Sequence, residues 1–195
     1  LRRSFRRVDT TKSRILVLDG ASAVLAPFDS KLSVAARREL ERNGVEVRLG
    51  ALVADVDANG LEVRYQDGRT ERIEASCKVW AAGVQASPLG AVIAAQCEGT
   101  EVDRSGRVVV EPDLTVKGHP NVFVVGDMAA MDGVPGMAQG AIQGANYAAK
   151  LIKAELKGAD PAAREPFQYF DKGSMATVSR YSAVAKIGPL EFGGF

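Results

Sequence analysis

The sequence has few cysteines and a single histidine, and this shortage argues against a metal centre. Cys77 and Cys97 lie too far apart for a CxxC redox or zinc motif, and His119 is the one histidine that could join them as a ligand. We therefore predict no metal site. We expect two buried, reduced thiols, which suits a reducing cytoplasm.

The sequence also lacks a long apolar run and an excess of charge of one sign. No run approaches the roughly 20 apolar residues that cross a bilayer, and the N-terminal LRRSFRR contains no signal-peptide region. The net charge of +1 gives no overall bias toward nucleic acid or an anionic surface, and we predict no nucleic-acid partner. With 195 residues, 46% of them hydrophobic, the chain can bury one sizeable core or two small ones. We expect a soluble globular chain.

The most informative motif is an apolar strand that ends in Gly126-Asp127 and precedes a helix of small residues. Glycine lets a ligand approach the backbone, where a Cβ would obstruct it, and Asp127 supplies a hydrogen-bond acceptor. In doubly wound sheets that bind FAD, such a carboxylate meets a ribitol hydroxyl, and the next helix turns its N-terminus toward the flavin. The dipeptide alone also fits a turn with a helix cap. The order of the surrounding elements favours the flavin.

The helix predicted over about 136–156 carries glycines at intervals of four residues, Gly136, Gly140 and Gly144, so one face is nearly bare for close packing. Gln139 and Gln143 lie one step round from these glycines and one turn apart. Neutral amides donate and accept hydrogen bonds without charge, which suits a flavin edge or a quinone carbonyl in an apolar pocket. Two solvated glutamines are the alternative.

Asp19 ends the apolar run 14–19, which we predict to be a buried parallel strand. At the end of the second strand of a nucleotide-binding unit, an acid can bind the adenosine ribose and repel a 2′-phosphate, so Asp19 favours NADH over NADPH. A helix cap is the alternative. The glycine fingerprint GxGxxG of such a unit occurs nowhere in the sequence.

Leu1, Phe5 and Val8 recur at helical spacing with no cap before them, as though the chain begins inside a helix. We therefore expect the chain to be part of a longer protein, called here the parent protein. Both phosphate-binding loops are expected upstream of Leu1.

The remaining pattern predicts an α/β fold. A helix capped by Asp29 or Ser30 and ending at 43–44 precedes a strand at 45–49, an antiparallel meander with turns at 59–60 and 67–68, a strand at 77–82 and a short helix at 88–95. Further strands are predicted at 107–111, at 122–125 and beyond Pro166. The fold class is thus a partial two-dinucleotide-binding, Rossmann-like flavoprotein of the disulfide-reductase type, with an antiparallel meander in its NADH domain.

Three domains follow from this order. Residues 1–99 are predicted to be an NADH-binding domain without its first strand and glycine loop. Residues 100–160 are predicted to close an FAD-binding domain, and residues 161–195 to begin a C-terminal region.

Four segments, VWAAGV (79–84), NVFVVGD (121–127), AQGAIQ (138–143) and FQYFDKGSMATV (167–178), resemble type II NADH:quinone oxidoreductases, in particular actinobacterial and mycobacterial members. The likeness covers nearly the whole chain, and the AQxAxQ and YxDKGxMA patterns are more specific than Gly-Asp. The resemblance implies that NADH reduces one noncovalent FAD and that a membrane quinone reoxidises it, without proton pumping.

The resemblance also implies the residues that hold the flavin. It places Gly126 and Asp127 at the ribitol, and Ala138 with Gln139 at the isoalloxazine. Lys172 would lie near the ring, where a cation favours the anionic reduced flavin. A solvated turn residue is the alternative for Lys172.

For the two substrates, the resemblance implies that Asp19, Ala82 and Gly83 contact NADH, and that Gln139 and Gln143 line the quinone entrance as the catalytic residues. The family usually has Glu where this chain has Asp19, so we expect the same preference for NADH with a shorter reach.

Members of this family continue into amphipathic C-terminal helices that bind the membrane, whereas this chain ends at the expected entry segment EFGGF. The parent protein is therefore expected at the cytoplasmic face of the cell membrane, attached through a segment absent here. Apolar surfaces that normally meet the missing parts predict self-association of the chain, with a homodimer as one form.

Two alternatives stand beside this function. The parent could be another two-dinucleotide flavoprotein reductase, acting on a disulfide, on ferredoxin, or on sulfide and quinone. The isolated chain, without its pyrophosphate-binding loops, is expected to be a catalytically silent module that folds and associates.

Overall fold

The structure is a computed structural model, and it describes residues 7, 9–26, 28 and 30–194. It divides into two compact units: unit 1 comprises Leu1–Ala82 with Gly173–Phe195, and unit 2 comprises Gly83–Lys172. These boundaries differ from the predicted ones at 99/100 and 160/161, and the assignment of nucleotides to the ranges stays a prediction. The predicted helical start at Leu1, Phe5 and Val8 lies outside the described residues.

Unit 1 begins with a parallel pair of strands joined by a helix. Strand β1 (Ile15–Asp19) leads to helix α1 (Ser30–Arg42) and then to strand β2 (Val45–Leu49), which pairs with β1 from Ile15↔Val45 to Asp19↔Leu49. This confirms the parallel strand predicted to end at Asp19. Its predicted burial is wrong, because Ile15 is exposed and residues 16–19 are half-buried. Of the two predicted caps, Asp29 lies outside the described residues.

An antiparallel meander follows in unit 1, as predicted. It consists of β3 (Ala51–Val56), β4 (Gly60–Tyr65) and β5 (Thr70–Glu74), in that spatial order. Val63 at its centre is completely buried and packs with Ala51 and Ile73. Because the alternating apolar side chains fall on one face, the period-two pattern was sufficient to predict this sheet.

The strand predicted at 77–82 is wrong. Residues 75–88 contain no strand, and Val79 and Trp80 are 85% and 66% exposed. A strand needs a neighbour to pair with its backbone, and none of the described strands pairs with this segment. The prediction that both thiols are buried is also wrong, because Cys77 is exposed and Cys97 is half-buried.

Unit 2 contains short strands and two helices. They are α2 (Leu89–Gln96), β6 (Val108–Val109), β7 (Thr115–Val116), β8 (His119–Phe123), β9 (Ala129–Ala130) and α3 (Ala138–Glu155). β6 pairs in parallel with β9, and β7 pairs antiparallel with β8. The core is formed by Val108, Val116 and Val124. Both predicted helices are confirmed, but the predicted strand at 107–111 shortens to two residues.

The strand predicted at 122–125 is displaced toward the N-terminus. Val124 lies beyond β8, although its N–H still donates to the Leu114 carbonyl at 2.9 Å. The apolar residues therefore continue past the ladder into the turn at Gly126.

The chain returns to unit 1 as a three-stranded antiparallel sheet, which confirms the strands predicted beyond Pro166. Its strands are β10 (Ser174–Ser179), β11 (Ser182–Ile187) and β12 (Leu190–Gly194). Val184 of β11 packs with Leu32 and Ala36 of α1 in one buried cluster. Within the described residues, no helix combines the length and apolar character that a bilayer span requires.

Candidate functional site

The turn at Gly126-Asp127 lies between β8 and β9, and α3 follows after a further loop. Residues Gly126–Met128 form one turn of 3₁₀-helix, and Gly126 has φ +72°, which glycine adopts without strain. A Cβ on Gly126 would lie 3.2 Å from the Cβ of Ala141, so the turn packs directly on α3. Asp127 follows with its side chain exposed. The close neighbour of Gly126 is thus α3 itself, and the approach of a ligand at this glycine stays a prediction.

The N-terminus of α3 has no side-chain cap from any described residue. Met137 precedes the helix in an extended conformation, and Ala138 is the first helical residue. The N–H groups of the first turn therefore have no side-chain partner, and they carry the partial positive charge of an 18-residue helix. The exposed Asp127 carboxylate and the donors of the α3 N-terminus are thus separated by residues 128–137, which include β9.

The glycines of α3 serve close packing. A Cβ on Gly140 would lie 2.9 Å from the Pro135 carbonyl oxygen, and one on Gly144 would lie 3.2 Å from Cδ1 of Leu114. Gly126, Gly140 and Gly144 border an apolar cavity of about 20 Å³, room for little more than one water. Gly136 precedes the helix, so the predicted row of three glycines has two members on α3.

The two glutamines have different surroundings. Gln139 is half-buried in the first turn of α3. The side chain of Gln143 binds the main chain of Phe170 in both directions: Nε2 donates to the Phe170 carbonyl and Oε1 accepts from the Phe170 N–H, each at 2.9 Å.

Further side chains and main-chain groups hold residues 164–170, here called the tail segment. The Tyr147 hydroxyl donates to the Glu165 carbonyl, and the Tyr147 ring lies 5.3 Å from that of Phe167. The Phe167 N–H donates to the Pro112 carbonyl at 2.8 Å. The tail segment is therefore anchored at several points before it reaches Lys172, which is exposed.

Arg164 binds three separate groups of unit 2. Its side chain is 5% exposed, and it donates to Asp113 at 2.7 Å, to Glu155 at 2.5 Å and to the Pro120 carbonyl at 2.7 Å. Burial would raise the pKa of Asp113, but hydrogen bonds from Thr115 and Arg164 outweigh it and hold that pKa below its usual value. The carboxylate is thus kept ionised beside the guanidinium.

The residues predicted to bind NADH lie apart in sequence, and they differ in burial and in secondary structure. Asp19 is half-buried at the carboxyl end of β1, where Oδ1 accepts from the Ala21 N–H at 2.9 Å. Ala82 and Gly83 are exposed in the segment without strand structure. Among the described residues, no three His, Cys, Asp or Glu side chains form a group that could hold a metal ion.

The sequence model of the pyridine nucleotide-disulphide oxidoreductase family matches residues 6–145. The chain belongs to this family. The predicted fold class, a partial Rossmann-like flavoprotein fold, is confirmed by this match and by the solved structure of NDH2 from Plasmodium falciparum in complex with NADH. That structure superposes with a TM-score of 0.82 at 15% identity and covers 100% of this chain and 54% of the other. At that identity it shows the fold alone.

Two relatives in Mycobacterium tuberculosis are much more similar in sequence. The type II NADH:quinone oxidoreductase Ndh is 63% identical over 195 residues, which are 100% of this chain and 42% of Ndh. The type II NADH:quinone oxidoreductase NdhA is 59% identical over 193 residues, 98% of this chain and 41% of NdhA. The chain therefore spans about two fifths of the length of these relatives, and the resemblance noted in the sequence is confirmed.

Sequence reasoning named Gln143 but missed the contacts by which Gln143, Tyr147 and Arg164 hold the tail segment of this pyridine nucleotide-disulphide oxidoreductase chain. Gln143 and Tyr147 are one turn apart on α3, a spacing that could have indicated a shared partner. Nothing in the local pattern links Arg164 to Asp113, 51 positions away.

Proposed function

We propose that the chain is part of an FAD-dependent type II NADH:quinone oxidoreductase, which transfers electrons from NADH to a membrane quinone. The observation that carries this proposal is the 63% identity to mycobacterial Ndh, which extends over all 195 residues. Because the identity to Ndh extends over both compact units, we expect the two proteins to share the chemistry of their sites.

The residues of unit 2 fit an FAD isoalloxazine and ribitol. Asp127 offers an exposed acceptor beside Gly126, and the uncapped start of α3 offers donors at Ala138 and Gln139. This pair suits a sugar hydroxyl next to the electron-rich edge of a ring. FAD, when bound, accepts a hydride from NADH and passes two electrons to quinone.

The work of the protein is positioning and electrostatics. Asp127 accepts a hydrogen bond from the ribitol, and the helix N–H groups at Ala138 and Gln139 stabilise negative charge on the ring. Lys172 adds a cation near that edge. All four of these residues belong to unit 2.

NADH and quinone are assigned to the remaining predicted residues. Asp19 binds the adenosine ribose, and Ala82 with Gly83 presents an exposed backbone to the nicotinamide half. Gln139, in the first turn of α3, borders the quinone entrance. The parent protein binds the cytoplasmic face of the membrane through a further segment, and it forms a homodimer.

The isolated chain is proposed to be inactive, because it lacks the phosphate-binding loops. Each lost charge-assisted hydrogen bond costs about 1.5 to 3 kcal/mol, so the free energy of FAD binding is expected to weaken by several kcal/mol. The absorption spectrum of the purified chain tests this. A flavin band in stoichiometric amount would show that the chain retains FAD, and it would refute this explanation of inactivity.

The function itself is tested on the parent protein with NADH and a soluble quinone. We expect quinone-dependent oxidation of NADH by a two-step, ping-pong mechanism. Activity that requires a disulfide or ferredoxin instead, with none toward quinone, would replace this proposal with one of the other reductase classes.

A further inference from the structure

The tail segment runs antiparallel to α3. Arg164 binds Glu155, Glu165 binds Tyr147 and Phe170 binds Gln143, so the partners on α3 move toward the helix N-terminus as the tail advances. The first turn of α3, with Ala138 and Gln139, lies one turn beyond Gln143 in this direction. Lys172 follows Phe170 by two residues, so their Cα atoms lie within about 7 Å of each other.

Gln143 is the last point at which a described side chain of α3 holds the tail. Its amide pairs with the N–H and C=O of one residue, as a neighbouring strand would, and both distances are 2.9 Å. The Phe170 side chain itself is 69% exposed. Apolar packing of the Phe170 side chain therefore contributes little, and the two hydrogen bonds from the Gln143 amide orient the main chain of this residue.

We propose that Gln143 is a positioning residue, which fixes the main chain of Phe170 and thereby aims Lys172 at the flavin end of α3, and that it does not contact quinone. The Gln143 amide directs one donor and one acceptor to Phe170. Of the two glutamines predicted to line the quinone entrance, Gln139 therefore keeps that role. The effect on Lys172 rests on the proposed function, whereas the effect on Phe170 does not.

Amide hydrogen exchange of the parent protein tests the first step. The Phe170 N–H is bonded to Oε1 of Gln143, so we expect at least tenfold faster exchange at Phe170 in Gln143→Met. Methionine retains side-chain length and helix propensity. Gln143→Ala serves as a second variant, and Gln168→Leu, at an exposed glutamine of the same segment, is the control with unchanged exchange.

The reduction potential of the flavin tests the second step. We expect Lys172→Met and Gln143→Met each to lower the equilibrium constant for flavin reduction about tenfold, which is about 30 mV for a two-electron couple. The double variant should match Lys172→Met alone, because a misplaced lysine and a missing one have the same effect. The KM for quinone should stay within about twofold in Gln143→Met.

The opposite results distinguish a failure of the positioning role from a failure of the proposed function. Unchanged exchange at Phe170, additive potentials, or a raised quinone KM at an unchanged potential would overturn the positioning role. Faster exchange and non-additive potentials in a protein that fails to reduce quinone would uphold the positioning role and refute the proposed function instead.

Discussion

Arg164 donates through Nη1 to Oδ2 of Asp113 at 2.7 Å, although 51 positions separate the two residues. The same guanidinium also reaches Glu155 on α3 and the Pro120 carbonyl of β8. It lies 5.1 Å from the ring centre of Phe123. One side chain therefore ties the tail segment to a loop, a strand and a helix of unit 2.

Replacing Arg164 with methionine should lower the free energy of unfolding by about 3 kcal/mol, because loss of one partner leaves buried charges without compensation. Asp113 and Glu155 are 20% and 27% exposed, so water relieves only part of this cost. For a chain of this size we expect the thermal midpoint, followed by circular dichroism, to fall by about 6 to 12 °C.

The matched control is Arg37→Met. Arg37 forms a surface pair with Glu41 at 2.8 Å, and the two side chains are 47% and 45% exposed. Such pairs contribute less than about 0.5 kcal/mol. Equal losses in the two variants would show that the Arg164 cluster has no special role.

The stability conferred by Asp113 should depend on pH. Because its pKa is lower in the folded state than the usual value near 3.9, the carboxylate stabilises the fold above about pH 4, and this contribution is lost as the pH falls through the folded pKa. Urea unfolding at a series of pH values should therefore show the gap between the protein and Arg164→Met narrowing below about pH 4. A gap of constant size down to acid pH would exclude the ion pair as its source.

Gly173 should tolerate no side chain. It has φ +94°, and a Cβ there would lie 2.3 Å from the Lys186 carbonyl oxygen and 3.0 Å from the Ile187 Cα. We expect Gly173→Ala to cost about 3 kcal/mol or more, from backbone strain plus displacement of β11. Gly188→Ala is the control, since Gly188 has φ +56° but no described atom within 4 Å of its Cβ position. Its cost should stay near 1 to 2 kcal/mol in the same unfolding assay.

Local pattern was sufficient to predict the elements whose partners are near in sequence, such as α1 and the meander of β3 to β5. It failed for residues 77–82, since an apolar run becomes a strand only when another backbone pairs with it. It also missed the anchoring of the tail segment. Gln143 binds a backbone 27 positions away. Its spacing from Tyr147 indicates a shared partner, but side-chain periodicity does not identify the backbone segment that supplies it.

Asp127 should contribute directly to flavin retention. Its exposed carboxylate is the acceptor proposed for the ribitol, and removing a charge-assisted hydrogen bond costs about 1.5 to 3 kcal/mol, or roughly 10- to 150-fold in affinity. Asp127→Ala in the parent protein should weaken FAD binding by this factor, as measured by flavin fluorescence titration of the apoprotein. Asp132→Ala, an exposed acid in the following loop, should bind FAD normally. Equal affinity in both variants would remove Asp127 from the flavin site.

Asp19 should set the preference between NADH and NADPH. Its Oδ1 accepts from the Ala21 N–H at 2.9 Å, a bond that asparagine can keep, so Asp19→Asn removes the charge while retaining the turn. Without that charge a 2′-phosphate is repelled less, and we expect the ratio of kcat/KM for NADPH to that for NADH to rise about tenfold, equivalent to about 1.4 kcal/mol. Asp67→Asn is the control, because Asp67 accepts from the Arg69 N–H at 2.9 Å in an exposed turn of the meander. If the ratio is the same in both variants, Asp19 does not face the ribose, although the proposed reaction would still hold.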